Sequence, residues 1–196
     1  MADLKRDEKS KMLSGEWFNA IFDPVLTQER FFAKDLCFDF NNTRPSDIKK
    51  QREILKKLLP KCNVEKLSVL APLMVDYGYN ITIGDGCYLH HNCHFIDAAE
   101  ITIGTNCFIG PNCGFRTTVH PIDHQRRIEG LEKATPIKIG NNVWIGDNVQ
   151  ILPGVTIGNG AIIAAGSVVT NDISAESVAM GAPARITKKL FRDAII

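Results

Sequence analysis

The chain has 196 residues, 23 lysines and arginines against 22 aspartates and glutamates, and a formal net charge of +1; 44% of its residues are hydrophobic. That length holds one domain with a full core, or one domain with a small extension. The balanced charge gives no general attraction to nucleic acid or to a membrane surface, and no apolar run approaches the ~18 residues that span a bilayer. The basic pairs Lys49-Lys50, Lys56-Lys57 and Lys188-Lys189 read as solvated faces. The opening residues, Met1 to Glu8, are strongly charged with no apolar stretch behind them, which is not the pattern of a signal peptide. The expectation is a cytoplasmic protein whose six cysteines stay reduced.

Helical patterns come first. Lys11 to Phe18 reads as a short helix, and Leu26 to Phe40 as a second, ended by Asp39-Phe40-Asn41-Asn42. A third begins at Pro45-Ser46-Asp47-Ile48, where Ser46 or Asp47 can cap it. Its apolar face is Ile48, Leu55, Leu58 and Leu59, and Pro60 stops it. Residues 1–60 therefore form a helical segment, and residues 61–196 a second region of different character. The helices suit a cover for one end of the structure that follows; whether they also approach a ligand is open.

From residue 81 a six-residue repeat takes over. Hexads lead with Ile83, Leu89 and Phe95, then Ile103, Ile109 and Phe115, then Ile139, Ile145, Ile151, Ile157, Ile163 and Val169. The fifth position of each is small or β-branched: Cys87, Cys93, Ala99, Cys107, Cys113, Val119, Val143, Val149, Val155, Ala161, Ser167 and Ile173. Two positional rules held over twelve units predict a β-solenoid of about four triangular coils, with the lead residue inside and Gly or Asn at the corners. A β-sandwich would instead show a period of two with turns every 8–12 residues.

Cys87, Cys93, Cys107 and Cys113 invite a zinc reading, but their spacings are 6, 14 and 6, and all occupy the fifth position. They are expected to be small buried fillers stacked in adjacent coils. Cys37 and Cys62 follow no pattern.

The repeat breaks over 120–138, and an excursion from a rigid scaffold is the usual place for a site. It opens with His120-Pro121-Ile122-Asp123-His124. Pro121 biases His120 toward an extended backbone at the root of the loop. A positioned histidine there can accept a hydroxyl proton near neutral pH. Asp123, Glu132 or a backbone carbonyl can each hold its second ring nitrogen, and spacing does not choose among them. No nucleophile signature appears, which favours direct transfer over a covalent intermediate.

At this point the motifs resemble a known family. Lys11-Met12-Leu13-Ser14-Gly15 with Phe38-Asp39-Phe40-Asn41 is similar to the maltose acetyltransferase N-terminal segment. Thr118-Val119-His120-Pro121, Pro136 to Gly146, Pro153 to Gly158, Ala165 to Thr170 and Gly181-Ala182-Pro183-Ala184-Arg185 resemble the maltose and galactoside O-acetyltransferases. The resemblance covers nearly the whole chain. It implies a mainly β fold, a left-handed parallel β-helix with an N-terminal α-helical segment. It implies a homotrimer with acetyl-CoA in the groove between prisms, no metal, and a small sugar such as a maltose, glucose or galactoside unit as acceptor. His120 matches the general base. Trp144, Asp147, Ala165, Thr170, Asn171, Arg185 and Lys188 match CoA contacts, with Arg185 and Lys188 suited to phosphate.

The acceptor positions depart from the family. This chain has Ala20, Asp76, His90 and Ala98 at those places, and His90 stands where the family carries Asn. Histidine still offers a hydrogen bond to a developing oxyanion. Asp76, Tyr88, His90 and Asp97 are the candidate acceptor-binding residues. The alternatives are a xenobiotic or antibiotic O-acetyltransferase, a γ-type carbonic anhydrase using three of His90, His91, His94, His120 and His124, and a non-catalytic solenoid.

Overall fold

The computed structural model describes residues 6–190; most of the charged opening and the final residues lie outside that range. A three-sided parallel β-solenoid forms the body. Face 1 stacks Ile81–Ile83, Ile101–Ile103, Ile137–Ile139 and Thr156–Ile157. Face 2 stacks Ser68–Val69, Tyr88–Leu89, Phe108–Ile109, Trp144–Ile145, Ile162–Ile163 and Ser177–Gly181, and the antiparallel strand Ala184–Lys189 closes its end. Face 3 stacks Leu73–Val75, Cys93–Ile96, Gly114–Arg116, Gln150–Ile151 and Val168–Val169.

Four complete coils are therefore flanked by an incomplete one at each end. The first, Ser68 to Val75, precedes the hexad frame. It was invisible to the repeat because it packs against helices on its far side and needs no Gly-marked corner.

The repeat rules translate directly into burial. All twelve lead residues are buried, and Phe95 stacks on Phe115 with centroids 4.5 Å apart and planes within 2°. The four solenoid cysteines are buried and free, as fillers are. Val119 is the exception among the fifth positions: it is 44% exposed. There the chain has already left the prism, and Thr118–Val119 pairs antiparallel with Leu131–Ala134.

The three corners are not alike. Between faces 1 and 2 the chain turns through left-handed residues stacked level on level: Gly86, Asn106, Asn142, Gly160 and Glu176. Between faces 2 and 3 the same geometry recurs at Asn92, Asn112, Asn148 and Gly166. Asn and Gly tolerate that backbone, so these two edges are regular. The third edge, between faces 3 and 1, carries excursions of unequal length, including the arm that runs from Thr117 to Pro136.

Helix α1 spans Glu8–Leu13, shorter than the expected Lys11 to Phe18. Gly15 at φ +73 ends it, and Phe18–Asn19 is a strand against the arm. Helix α2 spans Pro24–Asn41, capped by Asp23 with Pro24 in its first turn. Helix α3 spans Ile48–Leu58; the Asp47 side chain caps it by accepting from the Lys50 N–H. Ile48 is half exposed, and Ile54 takes its expected place in the buried face. Helices α2 and α3 share one core with the first coils, through Ala33, Cys37, Phe40, Leu55, Leu58 and Leu59 against Val64 and Leu73. They cover the end of the solenoid.

Candidate active site

The arm begins where Thr117 leaves face 3; its hydroxyl donates to the Ile96 carbonyl at 2.7 Å. Two strands bring His120 back beside Leu131 and Glu132. His120 Nδ1 faces the Leu131 carbonyl at 3.4 Å, and Nε2 lies 3.8 Å from Glu132 Oε1. Of the three candidate partners, the Leu131 carbonyl is the one that faces Nδ1, and Glu132 lies on the Nε2 side. Asp123, the other candidate partner, caps the short helix α4 (His124–Ile128) by accepting from the Gln125 N–H. Arg127 donates to the Pro121 and Ile122 carbonyls at 2.8 and 2.7 Å, and Arg126 lies over the Trp17 ring at 5.1 Å. Helix α4 is held by these contacts, and so is the turn after His120.

Glu132 points from the arm toward a cavity of about 370 Å³ lined by Ala20, Arg30, Asp76, Tyr77, Ala98 and Glu132, among others. Burial raises the Glu132 carboxyl above its ordinary range, against the pull of His120. Burial also raises Asp76, against Lys34 and Arg30. Arg30 donates to the Tyr77 hydroxyl at 2.8 Å, which ties α2 to the cavity floor. Arg30 and Lys34 were not anticipated. Their i,i+4 spacing on α2 was legible, but nothing local said that this flank faces a cavity.

Asp97 requires a correction. It is fully buried, and its carboxylate accepts from the backbone N–H groups of Asp76, Tyr77, Gly78 and Asn80 at 3.1, 2.8, 2.8 and 3.4 Å. Its oxygens are used up in folding the turn that presents Asp76, so it is a strut and not a binder of acceptor hydroxyls.

The remaining candidates sort onto the two long edges of face 3. Asp76, His120, Thr170 and Asn171 lie on the irregular edge between faces 3 and 1. His90, Asp147 and Ala165 lie on the regular edge between faces 2 and 3, where the Gly166 N–H donates to the Asp147 carbonyl one coil below at 2.8 Å. Tyr88 and Trp144 stand just before that edge, on one outward ladder through Phe108. Trp144 is 52% exposed. Arg185 and Lys188 stand exposed on the terminal hairpin, without a carboxylate within ion-pair distance among the described residues. Among the described residues no hydrogen bond or ring contact joins the candidates of one edge to those of the other. The described residues contain no group of three or more His, Cys, Asp or Glu placed to hold a metal ion, and no helix long and apolar enough to cross a membrane.

Residues 11–63 match the profile of the maltose acetyltransferase hexapeptide capping motif. Residues 136–171 match the bacterial transferase hexapeptide (six repeats), and residues 100–122 the hexapeptide repeat of succinyl-transferase. The chain is 48% identical over 186 residues, 95% of its length and 93% of the other's, to SAV2555 of Staphylococcus aureus (strain Mu50), a protein whose designation as an acetyltransferase is itself provisional. It is similar to the crystal structure of a maltose O-acetyltransferase from Clostridium difficile 630, with 42% identity and a TM-score of 0.91 over 95% of this chain and 99% of that one. A galactoside acetyltransferase in complex with coenzyme A superimposes with 33% identity and a TM-score of 0.86 over 97% and 98%.

Proposed function

The chain belongs to the maltose and galactoside acetyltransferase family of hexapeptide-repeat proteins and is an acetyltransferase; from that premise we propose that it moves the acetyl group of acetyl-CoA to a hydroxyl of a small sugar, with His120 as general base. The observation that carries this reading is the His120 geometry. The Leu131 carbonyl occupies Nδ1, which leaves the Nε2 lone pair facing Glu132 and the cavity beside it. A hydroxyl bound there gives its proton to Nε2 as its oxygen attacks the thioester carbon. The carbon–sulfur bond breaks, and the proton passes to the departing thiolate.

Two neutral-to-polar features support a sugar. Asp76 and Glu132 offer carboxylate acceptors, and Arg30 and Lys34 balance their charge, so the cavity suits an uncharged polyol. Trp144, exposed on face 2, is free to pack against the CoA arm. Arg185 and Lys188, lacking counter-ions, suit its phosphates. Thr170 and Asn171 fall on the other edge from Trp144, Asp147 and Ala165. We therefore read the complete site as one formed where two copies meet edge to edge, in a homotrimer whose helical segment (residues 1–60) and solenoid (residues 61–196) each contribute.

The test is free-thiol release from acetyl-CoA against a panel of mono- and disaccharides, with product identified by mass. Release that depends on the sugar supports the reading, and the ranking of acceptors names the substrate. Release with no sugar in the panel overturns it in favour of a different acceptor, such as a xenobiotic hydroxyl. A monomer by light scattering would refute the shared site.

A further inference from the structure

Helix α2 has two flanks, and each borders a separate hollow. Thr27, Arg30 and Lys34 face the cavity that holds Glu132. Val25, Gln28, Glu29 and Phe32 face a groove of about 500 Å³ that reaches α1 at Lys9 and the end of α3 at Lys57. Tyr77 is the wall common to both, and Arg30 donates to its hydroxyl at 2.8 Å from the side of the first cavity. Neither His120 nor Glu132 borders the groove, so acetyl transfer makes no use of it.

The polar groups of the groove divide into those already engaged and those still free. Glu29 is engaged at both oxygens: Lys9 Nζ donates to Oε1 at 2.5 Å, and the Tyr79 hydroxyl donates to Oε2 at 2.8 Å. Lys9 also lies over the Tyr79 ring, 4.7 Å from its centroid, so this pair is satisfied within the chain. Lys57 differs from its neighbours on α3. Arg52 and Lys56 both pair with Glu65, at 2.8 and 2.9 Å. Lys57 has no carboxylate within ion-pair distance among the described residues. The Gln28 amide makes no hydrogen bond among them either. Lys9, Glu29 and Lys57 together leave the groove one positive charge. Its walls are apolar. Val25 and Phe32 stand two turns apart on α2, 54% and 62% exposed, and the Tyr77 and Tyr79 rings lie 5.4 Å apart. A hollow of this size with aromatic walls and a few convergent polar groups has the makeup of a small-molecule site.

We propose that the groove between α1, α2 and α3 binds a small aromatic monoanion, such as an aryl carboxylate, at a site separate from the acetyl-transfer cavity. The ring packs on Phe32 and the tyrosine wall, and the anion meets the Lys57 ammonium with the Gln28 amide as a second donor. Charge decides the class. A cation would face the unpaired Lys57 and find Glu29 already occupied, and a neutral aromatic would leave the ammonium without a partner. A polyol would find no free carboxylate to accept its hydroxyls. The site goes beyond the acetyl-transfer reading and does not depend on it.

Calorimetric titration of the full chain with indole-3-acetate tests this, with tryptamine as the cationic counterpart and tryptophol as the neutral one. Indole-3-acetate should bind saturably with a Kd of about 1 mM or tighter, the strength of a well-fitted fragment of that size. Tryptamine and tryptophol should both bind more weakly. Lys57→Glu should weaken indole-3-acetate about tenfold or more and remove its advantage over tryptamine. Phe32→Ser should weaken all three probes. Both side chains are exposed, so the fold should survive either change. Lys34→Gln, in the other cavity, should leave the Kd unchanged. Tryptamine bound as tightly as indole-3-acetate, or no saturable binding, overturns the proposal. Binding lost in Lys34→Gln and kept in Lys57→Glu overturns it by placing the anion in the acceptor cavity. Binding of no probe, with a change of mass by light scattering in Phe32→Ser, overturns it by giving the groove to a second copy. A chain that transfers acetyl to no hydroxyl changes none of these expectations.

Discussion

Asn41 closes the open edge of Leu73: its amide oxygen accepts from the Leu73 N–H at 2.8 Å, and its amide nitrogen donates to the Leu73 carbonyl at 3.0 Å. Leu73 lies in the lowest strand of face 3, which has no strand beneath it. One side chain at the end of α2 imitates the missing neighbour. An exposed strand edge would otherwise be a template for another chain. Asn41→Leu should cost about 1–3 kcal/mol by leaving those groups unpaired. A lowered denaturation midpoint with unchanged m-value is the expected result, and an unchanged midpoint would show that water replaces Asn41 without loss.

His120→Ala should lower turnover by ~10²–10⁴-fold with little change in the thermal midpoint, since the side chain is half exposed on the arm. Turnover near the wild-type value would remove His120 from the chemistry.

One buried carboxyl, Asp97, and two partly buried ones, Asp76 and Glu132, set a pH dependence of stability. Burial raises Asp76 and Glu132 above their ordinary ranges and pushes Asp97 up to about 6. Each folded pKa exceeds its unfolded value, so the folded chain binds more protons in the window between them, and stability falls as pH rises through it. Thermal midpoints should therefore decline between about pH 4 and about pH 6, and Asp76→Asn or Glu132→Gln should each flatten the slope. A midpoint that climbs steadily over that window would contradict the assignment.

Trp144→Ala should raise the KM for acetyl-CoA about tenfold, as expected for the loss of one stacking contact of ~1.4 kcal/mol. The fold should be unaffected, because half the side chain already lies in solvent. Arg185→Gln and Lys188→Gln should act in the same direction and more weakly at high salt, where phosphate pairing is screened. Equal KM values across all three variants and wild type would place the CoA arm elsewhere.

Cys113 stacks directly below Val149 in the same interior column, with Cys93 beneath it. Cys113→Val should therefore cost less than about 1.5 kcal/mol, as volume-matched core swaps do. A chelator should leave the midpoint where it was. A large loss from either treatment would revive a metal role for the cysteines.

Much of the fold was legible because a solenoid writes its geometry one coil at a time. Each coil repeats the same demands on the same positions, so Ile139, Ile145 and Ile151 declare the three faces without reference to distant sequence. The cap of α3 was legible to within one residue, Ser46 or Asp47, since a cap is satisfied within three residues, and the structure gives the role to Asp47. Val119 misled because Thr118–Val119 keeps hexad spacing while its partner, Leu131–Ala134, lies beyond the loop. Asp97 misled because a carboxylate looks the same in sequence whether it meets a ligand or four backbone N–H groups.

The sequence by itself determined the periodic part of this protein: the prism, its buried columns, the place where the repeat breaks, and His120 at the root of that break. Tertiary structure alone decided what surrounds His120. The Leu131 carbonyl reaches Nδ1 because two antiparallel strands bring the far side of the loop back. Arg30 faces Asp76 because α2 folds down on the solenoid. Those relations join residues that no local spacing connects, and they depend on which hydrogen-bonding atoms the packed backbone leaves pointing at each other.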